Sequence, residues 1–212
     1  MARTGMAETA TNSSAGAADF SSGGQSASFG KAEGMAFIAV FTVLITVGAF
    51  IKIPIPMVPF TLQFLFTMLA GLLLGGRNGA MSVALYLLLG LMGLPVFAEG
   101  GGLWYLLKPS FGYILGFCAA SYVTGRMTEG ENGRSLGKLL MANFIGLFIV
   151  YGMGMLYYYV ICNYVIFTPI GVWPLYLYCF ILAVPGDICL CILAAFVTLR
   201  VRPVLQSMRR NR

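Results

Sequence analysis

The sequence predicts an all-α integral membrane protein with six transmembrane helices and both termini in the cytoplasm. Three observations predict it. The composition is too apolar for water: 59% of the 212 residues are hydrophobic and 9% are charged, whereas soluble domains carry about 25% charged residues. The apolar residues gather into runs close to membrane-crossing length, separated by short polar gaps. The basic residues collect on one side of that alternation.

The elements follow in order. Residues 1–33 are rich in Ser, Ala and Gly and read as a disordered cytoplasmic tail. They lack the apolar core behind a basic start that a signal peptide needs. A helix needs about 20 apolar residues to cross the hydrocarbon core. The first span covers 34–51. An outer loop with three prolines then leads into a second span over 61–75. The third covers 80–94 and the fourth 110–125, joined by an outer loop rich in glycines and aromatics. Spans two and three are short, so they tilt little or extend into their flanks. The fifth covers 136–160 and the sixth 174–199. Residues 34–200 therefore form one six-helix domain, and 201–212 a basic cytoplasmic tail.

Charge placement orients this bundle. Arg77 lies between spans two and three, and Arg126, Arg134 and Lys138 surround the gap between four and five. Arg200, Arg202, Arg209, Arg210 and Arg212 follow span six, while the opposite loops hold only Lys52 and Lys108. An excess of Lys and Arg marks the cytoplasmic face. The net charge of +6 is thus a topology signal. It does not point to nucleic acid, because no folded basic domain exists to carry it.

Several chemistries are excluded. There is no His, so neither a Ser/His/Asp set nor a His-based metal site can form. No G-x-x-x-x-G-K-[ST] motif is present, so the chain has no P-loop with which to hydrolyse ATP. The five cysteines lie mostly in apolar runs, without CxxC spacing, and read as small buried hydrophobes. No metal or cofactor is expected.

Between Gly34 and the C-terminus there are four acids, and Asp187 alone falls within a span. An Asp at a helix centre in a bilayer is unfavourable by roughly 2.5–3.5 kcal/mol, and such residues face the bundle interior and mark ligand or ion pathways. Asp187 precedes Arg200 by 13 residues. At about 1.5 Å per residue this places the carboxylate about 20 Å above the inner boundary, in the outer third of the core. Pro185 and Gly186 just before it are set to kink or break the helix. The outer loops add Gln63, the glycines Gly100, Gly101 and Gly102, and the flat apolar surfaces of Phe97, Trp104, Tyr105 and Phe111. Together these suggest an outward-open pocket with aromatic walls and a few hydrogen-bonding groups. Asn143 and Tyr151 are eight apart on span five and share a face. They either line that pocket with Asp187 or bond between helices.

Four segments carry a family resemblance: VPFTLQ (58–63), ALYLLLGLMGLPVFAEGGG (84–102), KPSFGYILGF (108–117) and VPGDICLCILAA (184–195). Together they resemble the BioY family of biotin-binding S components of energy-coupling factor transporters, over most of the chain from about residue 36 to residue 199. The resemblance implies an S-component-like six-helix bundle in the bacterial cytoplasmic membrane. It would capture biotin from the outside and work with a membrane coupling protein and two cytoplasmic ATPases, which fits the missing P-loop. It implies that Asp187 and Gln63 hold the bicyclic head of biotin, with Phe97 and Trp104 packed on its rings. Ala32, Ala36 and Val40 on the first helix would form the docking surface for the coupling protein, small side chains letting a partner helix approach closely.

The chain departs from the family at one point. The common pattern Pro-Gly-Asp-x-x-Lys here places Leu190 where the Lys would stand. The ligand's carboxylate then falls to Lys108 or Lys52, both at outer span ends, or to backbone N–H groups at Gly101 and Gly102. Leu190 also leaves room for a different vitamin or a biotin precursor. Outside transport, the sequence leaves an intramembrane enzyme, for which it offers only Tyr and Cys neighbours to Asp187, or a purely structural membrane subunit.

Overall fold

The computed structural model describes residues 31–53, 59–130 and 135–210. Most of the N-terminal tail, Pro54 to Val58 of the first outer loop, Glu131, Arg134 and Arg212 fall outside the described residues.

Among the described residues seven α-helices run in chain order: α1 (Lys31–Phe50), α2 (Gln63–Leu74), α3 (Gly76–Leu91), α4 (Phe111–Met127), α5 (Leu136–Val160), α6 (Val172–Tyr176) and α7 (Val184–Arg210). Between α1 and α2 a short antiparallel pair, β1 (Lys52–Ile53) and β2 (Phe60–Thr61), sets Lys52 opposite Thr61. Among the described residues, three segments are long and apolar enough to cross a bilayer: Ala32–Phe50, Leu136–Val165 and Trp173–Leu205. The other apolar helices, α2, α3 and α4, have 12, 16 and 17 residues.

Helix α2 is the hub. It packs against α1, α3, α4 and α7, and ten of its 12 residues are buried. A helix apolar on every face is stable only when surrounded, and the run QFLFTMLAGLLL meets that condition. Helices α4 and α5 share the most extensive helix–helix interface. Four buried threonine hydroxyls are satisfied locally: Thr42, Thr124, Thr128 and Thr198 each donate to the carbonyl four residues back, at 2.7–2.9 Å. In an apolar bundle an unpaired hydroxyl costs several kcal/mol, roughly, so this back-bonding is the economical solution.

Two boundaries differ from the sequence expectation. Spans two and three meet almost without a loop, because Gly75 at φ +86° reverses the chain in one residue. Arg77 accordingly sits in the first turn of α3 and not in a linker. The sixth span does not break at Pro185–Gly186. It breaks at Leu182–Ala183, after a π-helical turn over Leu177–Ile181. Pro185 lies in the first turn of α7, where its missing N–H removes no helical bond. Toward the C-terminus the basic segment stays helical to Arg210.

Candidate functional site

The break before α7 decides where Asp187 stands. It puts the residue in the first turn of a helix, inside the apolar segment Trp173–Leu205. The unsatisfied N–H groups and dipole at a helix N-terminus favour an anion. The side chain is buried, 7% exposed. Across from it on α5, the Tyr151 hydroxyl donates to Asp187 Oδ2 at 2.5 Å. Tyr151 is fixed by edge-on contacts with Tyr113, centroids 5.8 Å apart, and Phe180, 5.5 Å apart.

Asp187 and Tyr151 line a cavity that is partly open to its surroundings. Pro59, Phe60 and Thr61 of the β-pair and Gln63 and Phe64 at the start of α2 form one wall. Tyr113, Ile114 and Phe117 of α4 form another, and Val150 joins Tyr151 from α5. Ala98, Tyr105 and Ser110 come from the outer loop, and Cys179 and Ala183 precede Asp187 on the last segment. Phe60 is seated by a close approach: a Cβ at Gly186 would lie 2.7 Å from its ring. The Pro-Gly-Asp motif thus serves two purposes, with the glycine admitting the ring of one wall and the aspartate presenting the polar group.

The cavity is apolar with convergent polar tips. Two of these, Gln63 Nε2 and Tyr113 Oη, are buried without a hydrogen-bond partner among the described residues. Buried polar groups in proteins are nearly always paired, and these two stand on two different walls of the same cavity, which makes them candidates to meet a ligand there. Burial also pushes the Tyr105 phenol up from its ordinary pKa, keeping it neutral at the mouth.

The structure brings Asp187, Gln63 and Tyr151 together at one cavity. The other expected residues stand elsewhere. Phe97 is fully buried in a ring chain, 5.2 Å from Tyr86 and 4.5 Å from Tyr105 by centroids, and does not line the cavity. Trp104 is 81% exposed and does not line it. A tight turn, in which Phe97 and Gly100 exchange backbone hydrogen bonds at 2.9 and 3.2 Å, folds Phe97 inward. The Gly102 N–H is given to the Gly90 carbonyl at 2.7 Å, which removes it as an anion donor. Gly101 packs so closely on the Leu94 carbonyl that no side chain fits. Asn143 Nδ2 donates to the Cys191 carbonyl at 2.8 Å, one turn from Asp187 and outside the cavity lining. Lys108 forms an ion pair with Glu99 at 2.8 Å and lies over the Tyr105 ring. Leu190 is buried in the core.

Sequence reasoning missed Phe60, Phe64, Tyr113, Phe117 and Cys179 as lining residues. The first four lie within or beside the motifs PFTLQ and SFGYILGF, and the three-residue spacing of Ile114 and Phe117 was one available signal. On α1, Ala32, Ala36 and Val40 all face outward, on the same side as Val43 and Val47.

Comparisons with known proteins agree with one another. The sequence model of the BioY family matches residues 19–207. A probable biotin transporter BioY from Lysinibacillus sphaericus is 43% identical over 175 residues, covering 82% of this chain and 89% of the relative. The biotin transporter BioY of Thermotoga maritima is 45% identical over 116 residues, 54% of this chain and 68% of the relative. A solved structure described as the S-component for biotin from an ECF-type ABC transporter superposes with a TM-score of 0.70 at 29% identity, covering 82% of this chain and 92% of that one.

Proposed function

The chain belongs to the BioY family, a family of transporters and not of enzymes, and from that premise we propose that it is the biotin-capture subunit of an energy-coupled vitamin importer. The observation that carries this reading is the buried Asp187 carboxylate, ordered by Tyr151 on the wall of a mostly apolar cavity.

The chemistry fits the ligand. Biotin has a ureido ring with two N–H donors and a carbonyl acceptor, fused to an apolar thioether ring. A carboxylate accepts from polarised N–H groups in charge-assisted bonds, about twice as strong as neutral ones. Asp187 serves as that acceptor. The orphan Gln63 Nε2 and Tyr113 Oη donors answer the ureido carbonyl. Phe60, Phe64 and Phe117 surround the thioether ring. Binding energy is concentrated where these desolvated polar groups meet the ligand, because an unpaired polar group left in an apolar site is costly.

In this reading α1 to α5 and the α6–α7 segment make six membrane crossings, with both termini in the cytoplasm of a bacterial cell and the cavity facing outward. The positive-inside distribution of Arg and Lys supports that orientation. ATP hydrolysis falls to partner ATPases through a membrane coupling protein, for which Ala32, Ala36 and Val40 on α1 offer a surface of small, outward side chains.

Calorimetric titration of the purified, ligand-stripped protein with biotin tests the proposal. Saturable binding is expected, with a loss of about 1.4 kcal/mol or more, roughly tenfold, in Asp187→Asn. A folded wild type that does not bind biotin overturns it.

A further inference from the structure

Among the described residues the cavity is lined by one acidic side chain, Asp187, and by no basic one. A ligand that carries a carboxylate therefore meets no basic side chain inside the cavity to neutralise it. The anionic end must reach the rim.

Two lysines stand there, and their states differ. Lys108 is committed: its Nζ is 2.8 Å from Glu99 Oε2, 3.2 Å from the Glu99 carbonyl and 5.0 Å from the Tyr105 ring centroid. Its charge is already balanced. Among the described residues, Lys52 Nζ has one acceptor, the Ala98 carbonyl at 2.8 Å, and no carboxylate. An ammonium has three hydrogens to donate, so two remain. Two independent contacts place it on the rim. Ala98 itself lines the cavity, and the β1–β2 register sets Lys52 directly across from Thr61, another lining residue.

We propose that Lys52 is the anion-binding residue of this chain, holding the carboxylate of the ligand's tail at the cavity mouth and supplying the positive charge that Leu190 does not. The Ala98 carbonyl aims the ammonium without neutralising it. The charge then acts at the surface, where the tail lies, and not beside the ring system. This inference rests on the biotin reading and adds a determinant of specificity to it: the head is selected by Asp187, the charged tail by Lys52. At an exposed rim the attraction is screened by salt, over a Debye length of about 8 Å at physiological ionic strength, so the preference for an anionic tail should weaken as salt is raised.

The test compares biotin with biotinamide, which has the same rings and a neutral tail. In Lys52→Gln the affinity for biotin should fall about tenfold, while biotinamide binds within about twofold of the wild type. Lys52→Arg should keep biotin within about threefold. An equal loss of both ligands in Lys52→Gln would make Lys52 a strut of the mouth and overturn the proposal. So would a selective loss of biotin in Lys108→Gln with none in Lys52→Gln. If the wild type binds neither ligand, the biotin reading itself fails and takes this inference with it.

Discussion

The hydroxyl of Tyr151 and the carboxylate of Asp187 are joined across the α5–α7 interface at 2.5 Å. The bond explains how a carboxylate is kept in an apolar segment. The phenol fixes one oxygen, Oδ2, and on the biotin reading the other is left to accept from the ligand. A preformed acceptor spares the ligand part of the ordering cost of binding.

Tyr151→Phe should therefore weaken biotin binding although Tyr151 need not touch the ligand. A hydrogen bond to a charged group is worth about 1.5–3 kcal/mol, so the expected loss is at least roughly tenfold in Kd. Calorimetry on the variant measures it. Unchanged affinity would mean that Asp187 is held by other contacts.

Gly186 and Phe60 make a second testable pair. An alanine Cβ at 186 would sit 2.7 Å from the Phe60 ring, and the ring's retreat leads into the cavity it lines. Overpacking of this kind costs about 1–3 kcal/mol. Gly186→Ala should reduce biotin affinity, and Phe60→Leu added to it should restore part of the loss by vacating the clash. If the double variant binds no better than Gly186→Ala, the ring is not what the glycine accommodates.

Part of this candidate site was legible in the sequence, for a physical reason. Asp187, Gln63 and Tyr151 are polar groups in or beside apolar runs, and lipid permits such groups only where they find partners. The fifth span, 136–160, coincides with α5, Leu136–Val160, because nothing in that run interrupts the helix. Aromatic content was less informative. Phe97 and Trp104 lie seven residues apart in one loop, yet one is fully buried and the other 81% exposed. Their directions are set by the Phe97–Gly100 turn and by the hydrogen bond from Gly102 to Gly90, which no periodicity encodes. The break in the sixth span was misplaced because Pro185 reads as an interruption, whereas a proline in a first turn starts a helix.

Asn143 separates a bundle role from a ligand role. It shares the α5 face with Tyr151, as the spacing predicts, but its amide donates to the Cys191 carbonyl and its Oδ1 is buried without a partner among the described residues. Asn143→Ala should lower thermal stability in detergent, by about 1–3 kcal/mol for the stranded carbonyl, and shift biotin affinity by less than about threefold. An affinity loss as large as that of Tyr151→Phe, with stability intact, would place Asn143 in the ligand's reach.

The outward face of α1 has its own signature. Met35, Val40, Val43 and Val47 are 65%, 52%, 60% and 46% exposed, and Ala32 and Ala36 lie exposed among them. Lipid would accept any apolar side chain there, large or small. A partner helix would not, since close backbone approach depends on small residues at four-residue spacing. Ala36→Trp distinguishes the two. On the docking reading it leaves biotin binding to the isolated protein intact, because α1 contributes no residue to the cavity, and it lowers energy-dependent biotin uptake in cells that contain the coupling protein and ATPases. Co-purification of those partners should fall in parallel. Uptake at the wild-type rate would assign the face to lipid and move the docking surface elsewhere on the bundle.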